Sequence, residues 1–296
     1  MKNIIIVTGG AGFVGSNLIE YFLKKTKKKI ISIDNYSTGH KKNHIKNKRV
    51  KYLKLDTSKI DKLLVYKKRI HTIFHFGEFA RIYQSFKNFD KCFDSNTLGT
   101  KAVFKFCLDN KIKLIYSATS ASLGNSGEDK SLSPYAFTKA KNLELLENLK
   151  KWFNFKFEVI YFYNVYGPRQ IKKGEMATVI GIFEDLYKNK KPLTIVRPGT
   201  QTRRFTHIND TIKVCYEAWK KNRCKYYSIS HKKSYSINSV AKMFGTKIVY
   251  VKSRLGERYA SALTKISQNN QIISKFGKIN LKDYITSFIK NKIYED

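Results

Sequence analysis

The sequence predicts an α/β fold, a doubly wound parallel sheet followed by a smaller C-terminal α/β part. Two observations carry that expectation. Short apolar runs alternate with helical stretches through the first half, which is the rhythm of buried parallel strands joined by crossover helices. After Gly167 that rhythm breaks into shorter, less regular segments.

The elements follow in order. Ile4–Val7 reads as a buried strand, 13–25 as a helix, and 29–33, 50–55 and 72–76 as the next three strands. A helix is expected over 93–110, a strand over 113–117, a long helix over 134–153 and a strand over 157–162. Ser133 can cap the long helix, and Pro134 suits its first turn. Beyond Gly167, a helix is expected over 176–188, a short strand over 193–196, and helices over 210–219 and 235–243. Residues 201–210 are polar and basic. The expected division is a nucleotide-binding domain over 1–166, with a returning segment near 205–230, and a mainly substrate-binding domain over 167–296.

Composition excludes several classes. With 42% hydrophobic and 14% aromatic residues the chain can bury a full core, so it is not disordered. The net charge is +36. Nucleic-acid binding is one use for such charge, since phosphates attract Lys and Arg, but the lysines dot every segment from Lys24 to Lys292 instead of gathering in one. That pattern is a solvated surface able to steer an anionic small substrate, with no specific nucleic acid implied. Cys92, Cys107, Cys215 and Cys224 have no short paired spacing, so no metal site is expected, and reduced thiols point to the cytoplasm. The N-terminal MKNIIIVTGG reads as a first strand and not a signal peptide. The chain lacks an apolar run of about 18 residues, so no membrane span is expected.

Gly9-x-x-Gly12-Phe13-Val14-Gly15 follows a strand and opens a helix. Glycines there permit a tight turn and let backbone N–H groups approach a pyrophosphate, the Rossmann arrangement. Asp34 lies 19 residues beyond Gly15. A carboxylate at that strand end can accept both ribose hydroxyls and would repel a 2′-phosphate, so NAD is expected over NADP. Asp56, after the third strand, is placed to meet the adenine edge or to cap the strand end.

Tyr135-x-x-x-Lys139 puts a phenol and an ammonium on one helix face. A phenol titrates near about 10 and is a poor base at neutral pH. A neighbouring cation favours the phenolate and corrects this.

Together these motifs resemble the extended short-chain dehydrogenase/reductases, specifically the UDP-glucose 4-epimerase-like enzymes. The resemblance runs through Thr8–Gly15, Asp34–Gly39, Phe74-His75-Phe76, Asn96, Thr119, Tyr135/Lys139, Asn164–Arg169, Arg203 and Arg254–Glu257. It implies Tyr135 as acid/base, Lys139 as its tuner and ribose ligand, and Thr119 as a hydrogen-bond partner of the reacting hydroxyl. It sets Asn35, Ser37, Thr38, Gly39, Asp56, Thr57, Phe76, Gly77, Asn96, Ser117 and Phe162 along the cofactor. Ser120, Asn164, Thr178, Val179, Arg203, Arg254 and Glu257 fall to the substrate, the arginines as phosphate forks.

The departures are informative. The related dehydratases carry Asp-Glu directly after the threonine and the decarboxylases a Glu two positions after it, where this chain has Ser120 and Ala121. Elimination needs an extra acid and base there. Glu78 and Arg81 stand where small or apolar residues are usual. Glu78 either faces the cofactor or sugar or partners a basic residue, and Arg81 could grip an acidic sugar. His75 reads as a packed strand-end residue.

The resemblance therefore implies an NAD-dependent epimerase of a nucleotide-diphosphate sugar, with a UDP-sugar as first expectation. It also implies a homodimer through helices near 93–110 and 134–153. The alternatives are a net oxidoreductase on a nucleotide sugar and a catalytically idle NAD-binding regulator.

Overall fold

Alternate residues of the first strand enter opposite cores. In β1 (Ile4–Thr8), Ile4 and Ile6 pack on one face and Ile5 and Val7 on the other, which is why the strand is apolar throughout. The computed structural model describes residues 2–122, 130–253 and 276–291. The next strands are β2 (Lys29–Asp34), β3 (Val50–Lys54), β4 (Ile70–His75), β5 (Lys113–Thr119) and β6 (Phe157–Phe162). They are followed by β7 (Val165–Tyr166), β8 (Leu193–Val196), β9 (Thr202–Arg204), β10 (Thr206–His207), β11 (Tyr226–Ile229), β12 (Ser234–Ser236) and β13 (Ile248–Val251). Seven of them form one parallel sheet in the order β11-β6-β5-β4-β1-β2-β3. The winding reverses between β1 and β4, and a crevice opens at the carboxyl ends of strands at such a point.

Helices cover both faces. α1 (Phe13–Lys25) brings Leu18, Ile19 and Phe22 to one side. The short α2 (Ile82–Lys87) and α3 (Phe89–Phe93) lead to α4 (Thr100–Asp109), and α5 (Pro134–Phe153) follows. Val103, Phe104 and Leu146 from α4 and α5 fill the other side, with Ile60 and Leu63 from a 3-10 segment, Thr57–Arg69. After α6 (Val179–Lys188), α7 (Ile208–Lys221) returns to the main sheet beside α1, and β11 joins the sheet edge. A separate core of Phe183, Leu193, Ile195, Phe205, Phe244 and Phe288 gathers α6, α8 (Ile237–Lys242) and the helix Leu281–Asn291 around β8 and β13.

Several sequence expectations shift. The helix expected over 93–110 is interrupted by a π turn, Asp94–Gly99. A side chain at Gly99 would meet Thr57 Oγ1 at 2.4 Å, so only glycine allows this close approach. The helix expected from Met176 begins at Val179, because the Thr178 hydroxyl accepts from Gly181 N at 3.0 Å and caps it. Ser234–Ser236 is a strand, and Ser236 caps α8. The polar stretch 201–210 contains β9 and β10.

Phe104 is 1% exposed and packs edge-on against Tyr116, centroids 5.4 Å apart, and near His75. Phe104→Ala is expected to lower stability by about 3–5 kcal/mol, read from urea unfolding. A loss under about 1 kcal/mol would show that this core collapses freely around the deletion.

Candidate active site

A cleft of about 1700 Å³ lies over the carboxyl ends of the strands, between the sheet and the second core. Single-ligand pockets run about 300–1,000 Å³, so this one has room for two ligands.

Gly9, Gly12, Phe13, Val14 and Gly15 line one end. The turn is closed by Gly12 N donating to Gly9 O at 3.0 Å. A Cβ at Gly15 would lie 2.2 Å from that same Gly9 oxygen. The backbone here is packed as closely as a pyrophosphate cradle demands. Asp34 ends β2 and lines the cleft, 8% exposed. Its carboxylate accepts from Ala11 N at 3.0 Å and Tyr36 N at 2.8 Å. Burial raises its pKa, and those two N–H donors oppose the rise. The turn and the carboxylate fit a dinucleotide with a free ribose 2′-hydroxyl.

Asn35, Ser37, Thr38, Asp56, Thr57, Phe76, Gly77, Ser117 and Phe162 also line the cleft. Asp56 accepts from Ser58 N at 3.0 Å and from Asn35 Nδ2 at 2.9 Å, so it caps the 3-10 segment while facing the cleft. Two expected cofactor residues sit behind the surface. Gly39 packs on Asp34, where a Cβ would meet its carboxylate oxygens at 2.8 Å. Asn96 is fully buried, and its side chain accepts from Phe79 N at 2.7 Å and donates to Phe79 O at 3.1 Å. It holds the loop that carries Glu78 and Arg81.

Ser133 caps α5 by accepting from Ala136 N at 3.1 Å, with Pro134 opening the helix. This aims Tyr135 and Lys139 into the cleft. Thr119, at the end of β5, lines the same region, and its hydroxyl accepts from Ala121 N at 3.2 Å. Lys139 Nζ meets Glu78 Oε2 at 2.5 Å, donates to Ser117 O and lies 4.4 Å from the Tyr116 ring centroid. Burial lowers the lysine's pKa, and Glu78 opposes that. His75 is fully buried, and desolvation pushes its pKa down to about 4, so it is neutral.

Arg81, Ser120, Asn164, Thr178, Val179 and Arg203 also line the cleft. Arg81 donates through Nε and Nη2 to Met176 O, at 2.9 and 2.5 Å, bridging the two sides of the cleft. Asn164 donates to Arg204 O at 2.8 Å. The Thr178 hydroxyl caps α6 and donates to Gln170 Oε1 at 2.8 Å, and Val179 lines the cleft beside it. Arg254 and Glu257 lie outside the described residues.

Sequence reasoning did not single out Thr100, Tyr116 or Asn142, all of which hydrogen-bond Glu78. Asn142 could have been found, since it sits three residues after Lys139 on the same helix face. Thr100 and Tyr116 arrive from separate elements, and no local spacing signals them.

Residues 5–230 match the NAD dependent epimerase/dehydratase family. An uncharacterised UDP-glucose epimerase of Bacillus subtilis is 32% identical over 231 residues, covering 71% of this chain and 70% of that protein. A putative UDP-glucose 4-epimerase of Methanocaldococcus jannaschii is 29% identical over 277 residues, covering 86% and 88%. Among solved structures, a UDP-glucuronic acid 4-epimerase from Bacillus cereus superposes with a TM-score of 0.85 at 26% identity, covering 98% of this chain and 99% of that one. With the glycine turn, Asp34 and the Tyr135/Lys139 pair in one cleft, this chain belongs to the NAD-dependent epimerase/dehydratase family.

Proposed function

We propose that the chain is an NAD-dependent epimerase of a nucleotide-diphosphate sugar. The observation that carries this reading is the convergence of Tyr135, Lys139 and Thr119 in the cleft that also holds the glycine turn and Asp34. NAD, held by the glycine turn and Asp34, would supply the hydride chemistry at a sugar carbon. Tyr135 takes the proton from the hydroxyl on that carbon and later gives it back. Lys139 supplies the neighbouring positive charge that makes the phenolate accessible, and Thr119 orients the hydroxyl. Ser120 and Ala121 offer no acid–base pair beside Thr119, so elimination is not the reading.

The assignments along the site follow the same logic. Residues 1–166 with the returning segment 205–230 hold the cofactor, and residues from 167 onward contribute the substrate wall with Asn164, Val179 and Arg203. A UDP-sugar is the proposed substrate, supported by the named activities of the relatives. Arg81, facing the cleft close enough to Tyr135 to interact with it electrostatically, favours a sugar bearing an anionic group. We also propose a homodimer, through the exposed Phe89 on α3 and the exposed Phe137, Trp152 and Phe153 on α5. A cytoplasmic location is consistent with free cysteines at 92, 107, 215 and 224.

The reading is tested by incubating the protein with UDP-, GDP-, ADP- and CDP-sugars, UDP-glucuronic acid included, followed by NMR. One sugar should convert to its stereoisomer with no net NADH. Stoichiometric NADH would instead make the enzyme a net oxidoreductase. Tyr135→Phe should reduce kcat by about 10²- to 10⁴-fold, the usual contribution of a general acid–base group, with KM little changed. Full turnover in that variant would remove Tyr135 from the mechanism. Asp34→Asn should weaken NAD retention by about tenfold, as expected for losing a charge-assisted hydrogen bond. Equal NAD release from both proteins on gel filtration would contradict the ribose assignment.

A further inference from the structure

We propose that Glu78 is a positioning residue for the proton-transfer chemistry. Its buried carboxylate keeps Lys139 charged and aimed, and is itself fixed by a one-way hydrogen-bond chain that begins at Thr8 beside the glycine turn. The proposal rests on the epimerase reading in so far as Lys139 serves Tyr135.

The geometry is complete at both oxygens. Glu78 Oε2 takes the Lys139 ammonium at 2.5 Å, with the two side chains only 2% and 4% exposed. Glu78 Oε1 accepts from Tyr116 OH at 2.9 Å, Thr100 Oγ1 at 3.0 Å and Asn142 Nδ2 at 3.3 Å. Five side chains on three elements and one loop thus meet at this carboxylate–ammonium pair.

The chain behind Thr100 has a single direction. Thr8 Oγ1 accepts from Phe76 N at 2.9 Å and Gly77 N at 2.8 Å, so its one proton is directed to His75 Nδ1, 2.8 Å away. The neutral imidazole then carries its proton on Nε2, which faces Thr100 Oγ1 at 3.0 Å. The Thr100 proton then goes to Glu78 Oε1 at 3.0 Å, nearer than the Ser95 carbonyl at 3.4 Å. Thr8, His75 and Thr100 are all fully buried, so each bond is made away from water. The donors of this chain run from Thr8 through His75 and Thr100 toward the carboxylate. A buried ammonium without a counter-ion neutralises instead. The arrangement therefore opposes the loss of the Lys139 charge that burial alone promotes.

The titratable groups packed around this pair are His75 on β4, Cys92 on α3, Tyr116 on β5 and Tyr135 on α5. His75 is held neutral, and burial pushes the Cys92 thiol up to about 11. The Tyr116 phenol is raised well above its ordinary value. Among these described residues Glu78 is the charge that balances Lys139.

The test reads Lys139 directly. The purified chain and its E78Q and Y116F variants are labelled with trace acetic anhydride from neutral to alkaline pH. Acetylation at the Lys139 peptide is then followed by mass spectrometry. Only the neutral amine reacts, so the curve reports the lysine's protonation without turnover. E78Q should move the midpoint down by about one pH unit or more, and Y116F should move it the same way by less. The alkaline limb of kcat on the converted sugar should move with the midpoint while KM stays. Superimposable labelling curves for wild type and E78Q overturn the proposal, as does an unmoved alkaline limb with a change in KM alone. Should no sugar be turned over, the epimerase reading fails and the labelling curves still decide the role of Glu78. Should E78Q lose its fold by circular dichroism, Y116F, which keeps the ring against Lys139, decides it.

Discussion

The ion pair between Lys139 and Glu78 is the constraint around which the site is arranged. Removing two charges from water is costly, and the cost is recovered only when geometry is good and the remaining donors and acceptors are filled. Lys139 spends one N–H on Glu78 and another on the Ser117 carbonyl, and its ammonium rests against the Tyr116 ring. Glu78 is filled by Tyr116, Thr100 and Asn142. To satisfy these contacts β5, α4, α5 and the loop after β4 must meet at one point. That point lies beside the crevice where the sheet order reverses.

The same close approach ties the nucleotide end to the catalytic end. A Cβ at Gly77 would lie 2.9 Å from Gly9 N, so the loop after β4 passes directly over the glycine turn. The Thr8 hydroxyl bridges them by taking both loop amides. Asn96 clamps Phe79 from beneath. The loop that carries Glu78 and Arg81 is therefore held at its start by β1 and one residue past Glu78 by the π turn.

The second core is held to the first by a few polar straps as well as by chain continuity. Arg81 grips Met176 O, Asn17 donates to Pro168 O at 3.0 Å, and Arg169 pairs with Glu20 at 2.6 Å. These straps flank the cleft, so they bear on how its two walls approach one another. Surface charge contributes in a different way. Lysines spread over the whole chain raise the potential around the cleft without defining a docking face.

What the sequence determined by itself was local. Continuous apolar strands, the glycine turn, Asp34 at the end of β2, and the capped helix presenting Tyr135 and Lys139 all follow from spacing of a few residues. These positions coincide with the strands and helix in which the structure places them. The functional family was legible because its motifs are of this short-range kind. What only the tertiary structure decided was non-local. Glu78 could be read as facing the cofactor or as partnering a base, and the choice of Lys139 depended on elements 61 residues apart in the chain. Asn96 carries a motif position, and its side-chain amide bonds Phe79 and the Thr138 hydroxyl. The π turn inside the helix expected over 93–110 sets Gly99 against Thr57, where a Cβ would meet Oγ1 at 2.4 Å. In each case a buried polar group or a missing Cβ is satisfied by a partner distant in sequence, and spacing along the chain carries no record of that pairing.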